Sequence, residues 1–517
     1  MSNMPAWLAN ARFYEIYPQS FYDTNGDGIG DLNGITAKLD YIRELGFNAI
    51  WLNPCFVSPF KDAGYDVADY YKIAPRYGTN DDMYRLLAEA HARDMHVILD
   101  LVPGHTSDKC KWFKASCKPE RNKYSDRYIW SNSVWNRPQG HSWVAGEADR
   151  DGCYMLNFFH CQPALNYGFN EITDPTWQMS YKDKRVQGTL REMMKVMRFW
   201  LDHGVDGFRV DMADSLVKND EDKTATSSLW RKVRAMLDKD YPNAVLVSEW
   251  CNAPRAINMA GFHADFILNH WYKLGHYAFR YVDEHGVNKS YFCKTSHVSA
   301  KNMLEKYLDE LHETQGKGYI SVISGNHDTE RISYTLDESE LRLAYTFLLT
   351  LPGVPFFYYG DEIAMRYIPQ PSKEGGYHRT GARTPMQWDA TKPNLGFSTA
   401  ERRKLYLDVD SANDAPCAAQ QMQDGSSLWN LVRTLNGIRA AHADLQSDAK
   451  LTILNCSDDG VLCYKRGYSI GVVFNPTNEQ RTVALAISDK LLEIGKATFD
   501  GRVTTLAPQT AVIFQIK

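Results

Sequence analysis

The sequence lacks several patterns that would assign the protein to a special class. No apolar run approaches the ~18 residues of a membrane span. Residues 1–20 contain no basic segment followed by an apolar one, so we expect no secretory signal. The ten cysteines include no C-x-x-C pair, which argues against a zinc site or a disulfide framework. We find no internal repeat and no low-complexity segment. These absences predict a cytoplasmic protein with reduced thiols that is not membrane-bound.

Composition narrows the class of partner. The net charge of -5 argues against a nucleic-acid footprint. A length of 517 residues allows a large domain and at least one more. Aromatic residues make up 13% of the chain and suit flat apolar surfaces that stack on ligand rings. The sequence does not indicate whether the protein is a monomer or a homo-oligomer.

Eight short apolar runs alternate with amphipathic helical patterns. They cover residues 12–17, 48–52, 96–102, 207–211, 244–249, 264–268, 319–324 and 355–359. Strands that alternate with helices in this way are typical of a parallel sheet rather than an antiparallel sandwich. The sequence therefore predicts an α/β protein with a (β/α)8 TIM barrel.

Two segments depart from this alternation. Residues 104–170 are too long for a plain loop and predict an inserted small domain over the barrel mouth. Residues 425–517 contain a helix and then short alternating runs, which predict a C-terminal antiparallel β-sandwich. The barrel domain would then comprise residues 1–103 and 171–424.

Polar side chains stand at the ends of several predicted strands. In residues 207–211 (GFRVD), Arg209 and Asp211 are two apart, so they project to the same side of a strand. Taken alone, they could be a structural ion pair. Further polar groups end other strands: Asp100, His105, Glu249, His327 and Asp328. Because active sites of such barrels lie at the C-terminal strand ends, we expect these groups to share one face.

Five of these segments resemble motifs of the α-amylase family of glycoside hydrolases, known as family 13. They are residues 100–105 (DLVPGH), 162–166 (QPALN), 207–211 (GFRVD), Glu249 and residues 326–328 (NHD). The resemblance runs in the family's order from about residue 12 to beyond 390. It implies a (β/α)8 barrel, an inserted B domain and a C-terminal β-sandwich.

The resemblance implies roles for three carboxylates. Asp211 would be the nucleophile, Glu249 the general acid/base and Asp328 the third carboxylate. A retaining glycosidase needs an ionised carboxylate ~5–5.5 Å from a protonatable one. Arg209 would keep Asp211 ionised, and burial beside Trp250 could keep a proton on Glu249.

The resemblance also implies sugar-binding residues. His105 and His327 would bind hydroxyls of the sugar in the cleavage subsite. Tyr65 would be the stacking tyrosine and Asp66 the neighbouring subsite aspartate. Arg331, together with Asp66, could close the pocket beyond the first sugar.

Two features concern calcium. Gly104 stands where the family's first motif normally has an asparagine that helps to bind an interdomain calcium, so we expect that site to be absent. A loop places oxygen ligands at positions 1, 3, 5, 7 and 9, which is the spacing of a calcium loop: Asp23, Asn25, Asp27, Ile29 and Asp31. A polar turn without metal is the alternative. Similar loops in the oligo-1,6-glucosidase-like and trehalose-synthase-like branches favour a structural Ca²⁺.

The calcium loop, residues 383–388 (RTPMQW) and the pocket-closing pair favour a short substrate. We expect an exo-acting α-glucosidase on small oligosaccharides or disaccharides. Members specific for 1,6 bonds often have valine after the nucleophile, whereas this chain has Met212 and Ala213, which favours α-1,4 bonds. Open alternatives are a transglycosylase or isomerase of trehalose-synthase or sucrose-isomerase type, and an intermediate α-amylase. A non-catalytic sugar-binding barrel is disfavoured because all three carboxylates are present.

Overall fold

Eight parallel strands form a closed sheet in the computed structural model, which describes residues 4–267, 274, 276–296, 298–374, 378–456, 460–487 and 489–516. The strands are β1 (Phe13–Ile16), β2 (Ala49–Leu52), β3 (His96–Leu101), β4 (Gly207–Val210), β5 (Val245–Ser248), β6 (Ala264–Ile267), β7 (Tyr319–Val322) and β8 (Phe356–Tyr358). Their order is β7-β6-β5-β4-β3-β2-β1-β8, and a parallel bridge from Ile323 to Phe356 closes the ring. The predicted barrel is confirmed; residue 268, the last of the predicted sixth strand, lies outside the described residues.

Side chains alternate between two environments along the barrel strands. On β4, Phe208 and Val210 join the large apolar cluster outside the barrel. Arg209, between them, lies inside the barrel, with its guanidinium 5.1 Å from the ring of Trp51 on β2. Phe13 and Ile98 belong to the apolar cluster that fills the lower interior. Alternate residues of each strand therefore point into the barrel. Inside it, polar side chains lie near the C-terminal strand ends, and apolar side chains fill the space below them.

Ten α-helices occur in the described part of the chain. They are α1 (Leu32–Ala37), α2 (Leu39–Glu44), α3 (Asn80–His91), α4 (Lys111–Ser116), α5 (Gln187–Asp202), α6 (Thr224–Asp240), α7 (Ala300–Thr314), α8 (Glu338–Thr350), α9 (Ala418–Gln423) and α10 (Leu428–Ala441). Local signals set several boundaries. Thr79 forms a capping box with Asp82 at α3, and the Ser427 side chain caps α10. The pattern at residues 32–46 predicts one helix, but the helix is interrupted at Lys38.

The insertion after β3 has little regular structure. It contains α4 and a short hairpin of Trp143–Val144 with Tyr154–Met155. Isolated bridges join His105 to Ala164 and Tyr128 to Leu165, so the end of the insertion returns to the end of β3. The insertion therefore lies against the barrel mouth.

The C-terminal region contains two antiparallel sheets. Its strands are β9 (Leu451–Cys456), β10 (Leu462–Arg466), β11 (Ile470–Asn475), β12 (Arg481–Val483), β13 (Lys490–Ile494), β14 (Ala497–Phe499), β15 (Thr504–Leu506) and β16 (Thr510–Gln515). One sheet has the order β9-β10-β11-β16-β13 and the other β12-β15-β14. The sequence predicts six of these strands, from alternating runs at residues 450–454, 461–465, 468–474, 482–485, 497–499 and 511–516, and it misses β13 and β15. Among the described residues, no helix is both long and apolar enough to cross a membrane.

Candidate active site

One guanidinium connects three carboxylates at the top of the barrel. Arg209 on β4 is 1% exposed. Its Nη1 donates to Asp100 Oδ1 at 2.8 Å and to Asp211 Oδ1 at 3.0 Å. Its Nη2 lies 2.8 Å from Glu249 Oε2. The predicted nucleophile and acid/base therefore sit side by side on the two terminal nitrogens of the same arginine.

This sharing changes the expected role of Arg209. The expectation was a cation that serves Asp211, but a single positive charge faces three carboxylates. Burial raises the pKa of Asp211 well above its usual value, the neighbouring Glu249 raises it further, and Arg209 opposes both. Because three carboxylates share one guanidinium in a buried cluster, Asp211 is less readily ionised than a carboxylate with an arginine to itself.

Asp328 has the opposite electrostatic surroundings. Arg379 Nη1 and Arg383 Nη2 donate to its Oδ1 at 2.9 and 2.8 Å, and His327 Nε2 lies 3.2 Å from Oδ2. Burial alone would raise the pKa of Asp328, but His327 and the two arginines lower it well below its usual value. Asp328 is therefore a permanent anion in the site.

His327 is held from both sides of its ring. Its Nδ1 lies 2.9 Å from Glu15 Oε1, and its Nε2 lies 2.7 Å from the Tyr65 hydroxyl. Burial opposes a charge on His327, yet Asp328 and Glu15 raise its pKa to about 9. Tyr65 stacks on the imidazole at 5.2 Å between ring centroids. The protonated ring thus links the third carboxylate to the barrel interior.

These groups surround a cavity of about 320 Å³. Its lining residues are Asp62, Tyr65, His105, Phe158, Asp211, Met212, Glu249, Asn326, Asp328 and Arg379. Five of the nine residues proposed for catalysis or sugar binding line it: Tyr65, His105, Asp211, Glu249 and Asp328. Arg209 and His327 contact these residues from behind.

The expected placement of Asp66 and Arg331 in the pocket is wrong. The buried Asp66 carboxylate accepts hydrogen bonds from Ser58 Oγ and from the backbone N–H groups of Lys61 and Asp62. It organises a turn instead of facing a ligand. Arg331 is buried and donates to the Tyr359 carbonyl at 2.8 Å and to Asp361 Oδ1 at 2.9 Å. Both side chains bond to structural partners, and neither lines the cavity.

A different ion pair closes the pocket. Arg379 Nη2 donates to Asp62 Oδ1 at 2.9 Å, while Nη1 of the same guanidinium binds Asp328. Gln162 Nε2, from the insertion, donates to Asp62 Oδ2 at 2.7 Å. Sequence reasoning missed Asp62 and Arg379 because both lie in irregular segments. The one feature that could have indicated Asp62 is its position three residues before Tyr65, the predicted stacking tyrosine.

Each member of the carboxyl pair is followed by a strained backbone position. Met212 adopts φ = 42° and Cys251 adopts φ = 58°, in the left-handed region that non-glycine residues rarely occupy. The Met212 N–H donates to Glu249 Oε2 at 2.9 Å. Buried Asp265 on β6 accepts from Trp250 N–H at 3.1 Å and Asn252 N–H at 2.8 Å. The neighbouring strands β4 and β6 therefore hold Glu249 and the turn after it in place.

Gly104, where the family motif normally has an asparagine, lies beside a side chain of the insertion, and the absence of an interdomain calcium stays a prediction. A side chain at this position would meet Asn157 Nδ2 at 2.7 Å from its Cβ. The ammonium of Lys218 donates to Asn157 Oδ1 at 2.8 Å and to the Ser215 carbonyl at 2.6 Å. A cationic side chain thus already bridges the insertion and the loop after β4.

The predicted calcium loop folds as a compact series of turns. Asp23 accepts from the N–H groups of Asn25, Gly26 and Gly28, and Asp27 accepts from Ile29 N–H. Asp31 caps α1 through Gly34 N–H at 2.7 Å. The donor set is all oxygen, which suits Ca²⁺. Across the described residues, however, no three His, Cys, Asp or Glu side chains converge on a common point, so calcium binding stays a prediction.

Comparison with known proteins agrees with the geometry. A family profile described as the alpha amylase catalytic domain matches residues 15–448. The chain is 34% identical over 562 residues to the glucan 1,6-alpha-glucosidase of Streptococcus pneumoniae serotype 4, covering 99% of both chains. It is 32% identical over 501 residues to the trehalose synthase/amylase TreS of Mycolicibacterium smegmatis, covering 89% of this chain and 80% of that protein. The crystal structure of the trehalulose synthase MutB from Pseudomonas mesoacidophila MX-45 matches with a TM-score of 0.81 at 28% identity, covering 99% of both chains.

Proposed function

This chain belongs to the alpha-amylase family of glycoside hydrolases, and we propose that it is an exo-acting α-glucosidase that hydrolyses short α-glucosides with retention of configuration. The observation that carries the proposal is the carboxyl pair Asp211–Glu249 on a single guanidinium. Two neighbouring carboxyl groups can take the two roles of a retaining mechanism, one as the attacking carboxylate and the other as the acid for the leaving group.

The reaction would proceed by two displacements. Asp211 attacks the anomeric carbon while Glu249 gives its proton to the glycosidic oxygen, which leaves as an alcohol. Glu249, now ionised, then takes a proton from water, whose oxygen displaces Asp211 from the sugar. The anionic Asp328 would stabilise positive charge on the ring in both transition states. The hydrogen bond from Met212 N–H holds Glu249 in place throughout.

The Asp62–Arg379–Asp328 arrangement supports an exo mode of action. One guanidinium bonded to two carboxylates closes the cavity on the side of the third carboxylate. A closed end allows one terminal sugar to enter, whereas an endo-acting enzyme needs an open groove. A cavity of about 320 Å³ suits a small sugar.

The residue that follows the nucleophile bears on the linkage. We favour α-1,4 bonds because Met212 follows the nucleophile and lines the cavity. A relative named glucan 1,6-alpha-glucosidase makes α-1,6 bonds the direct competitor. An isomerase or transglycosylase is the second candidate, favoured by the similarity to TreS and to the trehalulose synthase. An intermediate α-amylase would require a more open site.

One product profile tests these alternatives together. Purified enzyme is given maltose, isomaltose, trehalose, sucrose and maltotriose, and products are followed by NMR from the first minutes. α-Glucose as the first product supports a retaining hydrolase, whereas β-glucose would contradict it. A rearranged disaccharide as main product would establish the isomerase. Asp211→Asn should lower the rate at least about a hundredfold, since covalent catalysis depends on its charge; an unchanged rate would refute the nucleophile.

A further inference from the structure

The space beside Gly104 is occupied by a side chain from the insertion. Asn157 precedes the exposed Phe158 in the segment that returns to the barrel. Its Nδ2 would lie 2.7 Å from a Cβ placed on Gly104, and Ser215 Oγ would lie at 3.0 Å. Gly104 does not have a positive φ. Glycine is therefore favoured at this position by the neighbouring side chains and not by the backbone conformation. The missing side chain of Gly104 leaves room for the amide of Asn157.

The amide of Asn157 can adopt only one orientation. Lys218 Nζ lies 2.8 Å from Asn157 Oδ1, and an ammonium has donors but no acceptor. The oxygen of the amide must therefore face Lys218. Asn157 Nδ2, which carries the two hydrogens, then faces His105 Nδ1 at 3.2 Å.

This orientation determines the tautomer of His105. Asn157 Nδ2 can only donate, so a hydrogen on His105 Nδ1 would oppose it at 3.2 Å, and the lone pair of Nδ1 faces the amide instead. At the other side of the ring, Nε2 lies 3.2 Å from the Tyr65 carbonyl oxygen, which can only accept. Nε2 therefore carries the proton. Burial lowers the pKa of His105 to about 4, which agrees with a neutral ring.

We propose that Asn157, locked by Lys218, is a positioning residue that holds His105 as the neutral Nε2–H tautomer at the edge of the catalytic cavity. His105 lines this cavity, and its Nε2–H donates to the Tyr65 carbonyl oxygen, so the tautomer fixes the orientation of the imidazole at the cavity wall. The inserted segment thereby contributes to the site without touching the reacting atoms. The kinetic consequence rests on the proposed glycosidase function, while the tautomer does not.

The first test reads the tautomer directly. Protein labelled with ¹⁵N-histidine is studied at pH 7, and the His105 signals are assigned by their loss in His105→Gln. We expect one protonated and one unprotonated ring nitrogen in the wild type. Asn157→Asp should place a carboxylate oxygen against Nδ1 and produce a ring protonated at both nitrogens. A doubly protonated His105 in the wild type, or an unchanged spectrum in Asn157→Asp, would overturn the proposal. No substrate is needed, so failure of the proposed function leaves this result intact.

The second test measures coupling between Asn157 and Gly104 at pH 7. Asn157→Ala should lower kcat/KM by about tenfold, the cost of one hydrogen bond to a positioned group. Gly104→Ala should be similarly harmful alone but much less harmful in an Asn157→Ala background, because the nearer of the two atoms that its Cβ meets is gone. Asn132→Ala removes an exposed asparagine of the same insertion and should leave kcat/KM unchanged. Additive losses, or a loss in Asn132→Ala equal to that in Asn157→Ala, would refute the proposal; melting temperatures identify any variant that fails to fold.

Discussion

Glu15 Oε1 and His327 Nδ1 are 2.9 Å apart, and both side chains are completely buried. The pair joins β1 to the loop after β7, and these two strands flank β8, where the ring closes. Because His327 also contacts Asp328, a single imidazole ring connects Glu15 to the catalytic cavity.

This pair predicts a loss of stability at alkaline pH. The pKa of His327 rises from 6.5 to about 9 on folding, so the stabilisation is fully present below pH 6.5 and is lost as pH rises through about 9. Melting temperature measured from pH 6 to 10 should fall across that interval. Glu15→Gln should begin the fall at lower pH and cost about 1–3 kcal/mol near neutrality.

A buried glutamate elsewhere provides the control. Glu362 accepts hydrogen bonds from the hydroxyls of Tyr14 and Tyr41 and has no histidine partner in the hydrogen bonds described. Glu362→Gln should lower the melting temperature without moving the alkaline transition. The same shift in both variants would contradict a specific role for Glu15.

Asp265 is predicted to position Glu249 rather than to react. It holds the N–H groups on both sides of the strained Cys251 turn, directly after Glu249. In Asp265→Asn, one amide hydrogen would oppose a backbone N–H, at a cost of about 1–3 kcal/mol. We expect kcat to fall more for maltose than for p-nitrophenyl α-glucoside, because only maltose needs a well-placed acid for its leaving group.

Asp206 serves as the matched control for Asp265. It is a partly buried aspartate that accepts from Val97 N–H, just before β4, at the opposite end of that strand from Asp211. Asp206→Asn should lower stability while the ratio of the two rates stays at the wild-type value. An equal change in that ratio would show that Asp265 acts through stability alone.

Arg379 is predicted to limit substrate length. Arg379→Ala removes the group that joins Asp62 to Asp328, which opens the closed end of the cavity. We expect KM for maltose to rise about tenfold, from the loss of a charged hydrogen bond, and the relative rate on longer maltooligosaccharides to increase. Arg366→Ala, in the same irregular segment but paired with Asp410 and Asp414, should change neither quantity. An unchanged length preference in Arg379→Ala would argue against this arrangement as the barrier.

The loop from Asp23 to Asp31 predicts stabilisation by calcium. Addition of Ca²⁺ at a hundred times its dissociation constant should stabilise the fold by about 2.7 kcal/mol, and a chelator should reverse the effect. Asp27→Ala should abolish the response. Asp283→Ala removes a comparable turn aspartate, which accepts from His285 and Val287 N–H, and should preserve it. A melting temperature insensitive to both calcium and chelator would exclude a structural ion in this loop.

The sequence by itself determined the barrel and the identity of the carboxyl groups. Apolar runs separated by helical patterns report strands locally, and the two-residue period of β4 assigns Arg209 and Asp211 to one side without any tertiary information. Polar groups directly after such strands must meet at one face, because parallel strands end together. The family motifs then identified which carboxylates they are.

Only the tertiary structure decided how those groups are partnered. Arg379 and Asp62 are 317 positions apart in irregular segments, where no periodicity indicates which side chains meet. The same holds for Asn157 and Gly104, since the presence of a glycine in the sequence does not indicate which side chain packs against it. Asp66 and Arg331 had the right charges for the pocket, but both side chains bond to structural partners outside it. Charge type is a local property of the chain, whereas the choice of partner depends on the packing of loops that are distant in sequence.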